Sequence, residues 1–225
     1  MRYQMVVFDI AGTTVADPGV VESAFIAALD ATGCTVPALA QVRAWMGYAK
    51  PEAIGRLLDQ PIDSPTVTAA HRDFVARLQD SIARDRRLLP LPAAEATFAQ
   101  LRAAGLRVVL NTGFCADITT MLLRRLGWDT CIDAWVASDQ VAAPRPAPDM
   151  IQRLMRQGAI ADAGAVVKVG DTPVDILEAR AAGVGLCVAV TTGAHSRGEL
   201  AMHGPDEIID TLAALPPLLG LPRSA

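Results

Sequence analysis

The chain has 225 residues, 52% of them hydrophobic and 20% charged, a balance that supports a sizeable buried core and excludes intrinsic disorder. A net charge of −4 without any basic run points away from a nucleic-acid partner. No apolar stretch approaches the roughly 20 residues of a membrane span, so a soluble protein with no membrane partner, acting on a small molecule, is expected.

Residues 3–8 are strand-like and follow Met1-Arg2 directly, without the basic, apolar and small-residue segments of a secretory signal; a cytoplasmic location is expected. The first strand, 5–8, ends at Asp9. From about residue 20 to residue 87 the pattern is helical, with helices predicted over 20–31, 39–44, 52–58 and 66–85. In the last of these Phe74, Val75, Leu78 and Ile82 recur at spacings of three and four. The block reads as an insertion, and Pro90 and Pro92 stiffen the returning linker. Beyond it, apolar strands at 107–111, 134–138, 166–170 and 186–190, with a weaker one at 207–209, alternate with helices at 93–104, 116–126, 149–157 and 174–182. Such alternation describes a parallel sheet covered on both faces. Gly105, Gly127, Gly158 and Gly183 stand where left-handed caps would end the four helices. The expected fold is α/β: a Rossmann-like parallel sheet core formed by residues 1–17 and 88–225, with a small helical cap inserted over 18–87. Cys34, Cys115, Cys131 and Cys187 are scattered and form no CxxC, so reduced thiols are expected rather than disulfides or a zinc site.

Asp9 leaves the first strand at the sheet's carboxyl edge, where open α/β folds bind ligands. Gly12 permits a tight turn there, and the amides and hydroxyls that follow, including Thr13, are placed to meet an anion. An aspartate that merely forms a turn is the alternative. A second apolar strand ends at Asp171, with Asp175 four residues later on the first helical turn. If the two strands are neighbours, their carboxylates crowd negative charge that a hard cation such as Mg²⁺ would compensate; otherwise Asp171 or Thr172 simply caps the helix. Thr112 and Gly113 close a third strand, and Arg145 lies between Pro144 and Pro146 before a helix. Both suit phosphate, although a strand-end threonine and a solvated arginine are the plainer readings. Of 20 basic residues only Lys50 and Lys168 are lysines. An arginine cannot serve as an amine nucleophile, so a retained lysine is notable. Lys168 is expected to be structural or edge-located, because Asp171 ends its strand, and is left out of the site.

Asp9, Thr112, Arg145 and Asp171/Asp175 resemble, in order, the four signature motifs of the haloacid dehalogenase superfamily, and the match spans nearly the whole chain. The resemblance implies an Asp9 nucleophile, phosphate binding by Thr112 and Arg145, and Mg²⁺ held by Asp9, the Ala11 carbonyl and Asp171 with Asp175 in support. The helical insertion is similar to the cap of the subclass that includes β-phosphoglucomutase and phosphonatase.

Phosphatases of the superfamily carry a general-acid aspartate two residues after the nucleophile, where this chain has Ala11. An ester oxygen leaves poorly without such an acid. The stretch from Asp9 to Val15 resembles instead the first motif of phosphonoacetaldehyde hydrolases (phosphonatases). The stretch Met46-Gly47-Tyr48-Ala49-Lys50 is similar to the one carrying their cap lysine. Breaking a carbon–phosphorus bond expels a carbanion, and an imine on Lys50 would delocalise it; an exposed cap lysine is the alternative. Met46, Gly47, Tyr48 and Phe114 are expected to line the substrate pocket, core packing being the other prospect for Met46 and Tyr48. The chain departs from phosphonatases at Ala53, where they have a histidine, at Phe114 in place of a tyrosine, and at Gly19 in place of a cysteine. His71, His195 and His203 cannot be assigned the missing histidine's role. Three functions follow: cleavage of a carbonyl-bearing phosphonate, which needs Lys50; hydrolysis of a small phosphomonoester, of the phosphoglycolate phosphatase type, which does not; or phospho-ligand binding without turnover. The resemblance leaves a cap-mediated homodimer open.

Overall fold

The computed structural model describes residues 2–222. The apolar segments pair into one six-stranded sheet of β1 (Met5–Phe8), β2 (Arg107–Thr112), β3 (Ala134–Ala137), β4 (Val166–Gly170), β5 (Leu186–Val190) and β6 (Glu207–Ile209), ordered β3-β2-β1-β4-β5-β6. All neighbours are parallel. Strand alternation sorts the core into two layers. Val6, Phe8, Val108, Leu110, Val167 and Val169 pack on one face, and Met5, Val7, Val109 and Val166 on the other. Because β1 is central and Phe8 is in register with both Leu110 and Val169, the chain leaves β1, β2 and β4 at one edge, at nearly the same height.

The crossovers are α5 (Ala94–Ala103), α6 (Ala116–Leu126), α7 (Asp149–Gln157) and α8 (Pro173–Ala182). Three expected stops have their glycine at positive φ: Gly105 at 84°, Gly127 at 69° and Gly183 at 66°. The fourth differs. Gly158 is right-handed, with φ −86°, and Ala159 takes the left-handed turn at φ 54°. A Cβ on Gly158 would lie 2.7 Å from the Met5 methyl, so this glycine serves close packing rather than a special dihedral.

Between β1 and α5 lie α1 (Val20–Asp30), α2 (Leu39–Ala44), α3 (Lys50–Leu58) and α4 (Pro65–Arg84). The apolar stripe of α4 is buried at Phe74, Leu78 and Ile82, and Phe74 meets Phe25 of α1 edge to face at 5.6 Å. Helix α3 begins at Lys50 rather than at 52, because Pro51 at its start needs no amide partner. The linkers to this segment run side by side: the Ala16 amide donates to the Leu89 carbonyl at 2.9 Å and the Leu91 amide to the Thr14 carbonyl at 2.8 Å. Arg125 of α6 also donates to the carbonyls of Ile82 and Asp85 at the end of α4. The four cysteines are free thiols. Among the described residues no helix is long and apolar enough to cross a membrane.

Candidate active site

After β1 the backbone folds back sharply. Thr14 Oγ1 donates to the carbonyls of Asp9 (3.0 Å) and Ile10 (3.2 Å), and Gly12 sits at φ 83°. A side chain on Gly12 would be strained, and its Cβ would lie 2.5 Å from Asp171 Oδ2. This turn therefore brings the Asp9 strand end against the Asp171 strand end.

Beneath Asp9 lies a closed network of buried charge. Arg145, fully buried, places Nη1 2.8 Å from Asp9 Oδ1 and 3.0 Å from Asp175 Oδ1, and Nε 3.1 Å from Glu178 Oε2. Its Nη2 donates to Asn111, to the carbonyl at 2.7 Å and to Oδ1 at 2.6 Å. Lys168 Nζ lies 2.9 Å from Asp175 Oδ1 and 3.5 Å from Glu178 Oε2, and donates to Asn111 Oδ1 at 2.7 Å. Asn111 Nδ2 completes the ring by donating to Glu178 Oε1 at 2.7 Å. Asp175 Oδ2 accepts from the Thr172 amide and hydroxyl at the start of α8. Thr172 is thus the cap residue, and Asp171 is free of that duty.

These surroundings separate the three aspartates. Burial alone would push Asp175 up, but Arg145 and Lys168 outweigh it and hold the carboxyl below its ordinary value. Asp9 is raised by burial despite Arg145. Asp171 is raised well above the carboxylate range by burial and by the charges of Asp9 and Asp175, with Thr13 Oγ1 donating to its Oδ1 at 2.7 Å as partial relief. Asp9, Asp171 and Asp175 each offer an oxygen within 4.8 Å of the others. Together with Glu178 they make four buried carboxylates, while the cations ion-paired to these carboxylates among the described residues are two, Arg145 and Lys168. A hard divalent cation with oxygen ligands fits that excess of negative charge.

Above Asp9 is a cavity of about 300 Å³, at the small end of the roughly 300–1,000 Å³ usual for ligand sites. Of the residues singled out in the sequence, Asp9, Ala11, Gly12, Met46, Gly47, Lys50, Thr112, Gly113, Phe114 and Asp171 line it. Its far wall belongs to the helical segment, which approaches closely. A Cβ on Gly113 would lie 2.5 Å from the Gly47 carbonyl oxygen, and one on Gly47 2.6 Å from Thr172 Oγ1. Lys50, 3% exposed, donates to the Tyr48 carbonyl at 3.2 Å. Its ammonium lies over the rings of Phe25 (5.8 Å) and Phe114 (5.6 Å). Burial lowers its pKa to about 8, against a partial opposing pull from Asp9.

Three expected site residues are placed otherwise. Thr13 is fully buried and its hydroxyl is committed to Asp171, not to an anion in the cavity. Arg145 lies under the cavity floor, where the guanidinium grips the Asp9 carboxylate instead of facing the cavity; Asp175 lies beside it and stays within reach of Asp9 and Asp171. The Tyr48 ring packs on Trp45, centroids 4.9 Å apart, and only its carbonyl serves Lys50. Of the two readings of Lys168, the structural one holds and the edge location does not. Strand β4 is paired on both sides, and Lys168 projects onto the Val7 face beneath α8, into the charge network. Asn111 and Glu178, both in the charge network, bear no motif that marks them in the sequence. Glu178 follows Asp175 by three residues on a predicted helix, so the helical period could have placed both on one face.

The model of the haloacid dehalogenase-like hydrolases matches residues 3–183 of the chain. The probable phosphatase IndB of Dickeya dadantii is 31% identical over 210 residues, covering 93% of this chain and 90% of that protein. A plasmid-encoded phosphoglycolate phosphatase of Cupriavidus necator is 32% identical, covering 98% and 94%. The phosphonoacetaldehyde hydrolase of Bordetella avium is 31% identical, covering 97% and 90%. Among solved structures, a phosphonoacetaldehyde hydrolase-like protein from Oleispira antarctica superposes with a TM-score of 0.85 at 22% identity over 98% of this chain and 92% of its own, a likeness of fold.

Proposed function

For a chain that belongs to the haloacid dehalogenase-like hydrolases, we propose cleavage of the carbon–phosphorus bond of phosphonoacetaldehyde or a close carbonyl-bearing phosphonate, through an imine on Lys50 and a phosphoryl group on Asp9. The observation that carries this reading is the placement of Lys50: a buried amine of lowered basicity, in the same small cavity as Asp9, while Ala11 stands where an acid for an ester oxygen would be.

The steps follow from the groups present. Neutral Lys50 adds to the aldehyde and, with loss of water, gives a protonated imine. Asp9 attacks phosphorus as the carbon–phosphorus pair moves into the imine, leaving an enamine. Protonation of the enamine carbon from water and hydrolysis of the imine release acetaldehyde. Water then attacks the aspartyl phosphate and releases phosphate. Arg145 holds the Asp9 carboxylate in place from below, and Thr112 with the Gly12 and Gly113 backbone would receive the phosphonate oxygens. Asp9, Asp171 and the Ala11 carbonyl, supported by Asp175, would hold Mg²⁺, which supplies charge neutralisation to those oxygens when bound. Residues 18–87 act in this reading as a cap that carries Lys50 and excludes water during the first transfer.

A second reading, hydrolysis of a small phosphomonoester, is favoured by the likeness to IndB and to the phosphoglycolate phosphatase and by Ala53, where phosphonatases have a histidine. It uses Asp9 without Lys50. The two separate in one assay: phosphate and acetaldehyde release from phosphonoacetaldehyde with Mg²⁺, and phosphate release from a panel of small monoesters, for wild type, Lys50→Arg and Asp9→Asn. Acetaldehyde formation lost in both variants supports the imine route. Monoester turnover indifferent to Lys50→Arg, with no acetaldehyde from wild type, makes the protein a phosphatase.

A further inference from the structure

Imine chemistry needs an acid as well as an amine, since the hydroxyl of the carbinolamine leaves as water only when a proton reaches it. Six ionisable side chains line the cavity, namely Asp9, Asp17, Glu22, Arg43, Lys50 and Asp171. Asp9 and Asp171 belong to the phosphoryl site. Glu22 and Arg43 are tied to each other at 2.7 Å and are part-exposed to solvent. Among the described residues no histidine lines the cavity. Asp17 remains, on the linker that leads from the Asp9 turn into α1.

The carboxyl of Asp17 is held in a way that leaves it half available. Its Oδ1 accepts the amides of Val20 (2.7 Å) and Val21 (3.1 Å) at the start of α1, which fixes the side chain and leaves Oδ2 outside these bonds. It faces the same cavity as Lys50, and the two attract each other without an ion pair within 4.0 Å among the described residues. Neither group is therefore tied up by the other. We propose that Asp17 is the acid–base residue of the Lys50 imine, a role that rests on the imine reading above. Burial raises its carboxyl above the ordinary value despite the two amides, which enlarges the protonated fraction available for donation.

Lys50 Nζ adds to the carbonyl carbon and a proton passes from nitrogen to oxygen, giving the carbinolamine. Asp17 then gives its proton to that hydroxyl, the carbon–oxygen bond breaks, water departs, and the nitrogen lone pair forms the C=N bond. The result is an iminium cation beside a carboxylate. On the return path water adds to the product iminium, and Asp17 takes back the proton that water gives up.

The test uses substitutions that keep an acceptor oxygen at position 17. Asparagine keeps a carbonyl oxygen in the place of Asp17 Oδ1, serine keeps a shorter hydroxyl, and neither is an acid. Wild type, Asp17→Asn and Asp17→Ser are mixed with phosphonoacetaldehyde, Mg²⁺ and cyanoborohydride, and the rate at which the Lys50 peptide gains mass is followed alongside the thermal midpoint of each protein. The expected result is trapping in wild type and about 100-fold slower trapping in both variants, with midpoints unchanged. Trapping at the wild-type rate in either variant overturns the role of Asp17 while the imine reading stands. Slowing that follows a fall in midpoint, instead of loss of the acid, overturns it as well. No adduct in wild type overturns the Lys50 imine itself, and the role of Asp17 with it.

Discussion

The floor and the roof of the cavity treat charge in opposite ways. On the floor, Arg145 and Lys168 are fully buried and each is matched by carboxylates and by Asn111. On the roof the buried cation Lys50 has a carbonyl and two aromatic faces as neighbours. A matched cation is engaged with its partners and serves to position and neutralise them. A cation held by weak partners in an apolar setting is easily deprotonated. The floor thus suits phosphoryl transfer in general, whereas the roof suits chemistry that needs a free amine.

That contrast breaks most sharply at Asp9. Asp9→Asn keeps the shape but removes the nucleophile, and turnover of every phosphorylated or phosphonate substrate should fall by about 10⁴ or more, measured as phosphate release. Next comes the floor's own stability. Glu178→Ala leaves Arg145 Nε and Asn111 Nδ2 without their partner in a buried site, while Lys168 keeps Asp175 and Asn111. The expected loss is roughly 3–5 kcal/mol, read as a lower denaturation midpoint in urea. The roof responds to pH instead. Because Lys50 must be neutral to add to the aldehyde and its pKa is lowered to about 8, kcat/KM for phosphonoacetaldehyde should rise with pH and level off above about 8 in Asp17→Asn, where the amine titrates without the acid. Below that value it should fall about tenfold per unit. Monoester turnover should lack this limb if the amine takes no part. The smallest effect is expected at the mouth. Arg43→Ala removes an ion pair whose arginine is 51% exposed and which solvent screens; the thermal midpoint should not move.

Much of the fold was legible because its signals are local. An apolar run of four to six residues covered on both faces, followed by an amphipathic helix and a glycine, states a strand–helix unit without reference to the rest of the chain. Gly158 shows the limit. Its place after a helix was readable, but its cause lies in the Met5 methyl of a strand far away in sequence. In the site, Asp9, Thr112 and Asp171 were legible as strand-end residues, since parallel strands end together at one edge. Arg145 and Thr13 were recognised as polar groups of that edge, but their side chains reach Asp9 and Asp171 from below and behind, a direction no motif records.

Lys168 and Glu178 mark what only the tertiary structure decided. A lone lysine within an apolar strand carries no mark of its partners until the β1–β4 register sets it opposite Val7 and α8 lays Asp175 and Glu178 over it. Asp17 is similar: as one residue in a linker it reads as a turn, and only the helical segment folding back over the sheet puts it in the cavity that Lys50 faces. The sequence by itself determined the elements, their order and the acids at the sheet edge, because periodicity and strand ends are properties of neighbouring residues. Which charges meet was decided by packing, because burial makes an unmatched charge costly and only the folded chain supplies the match.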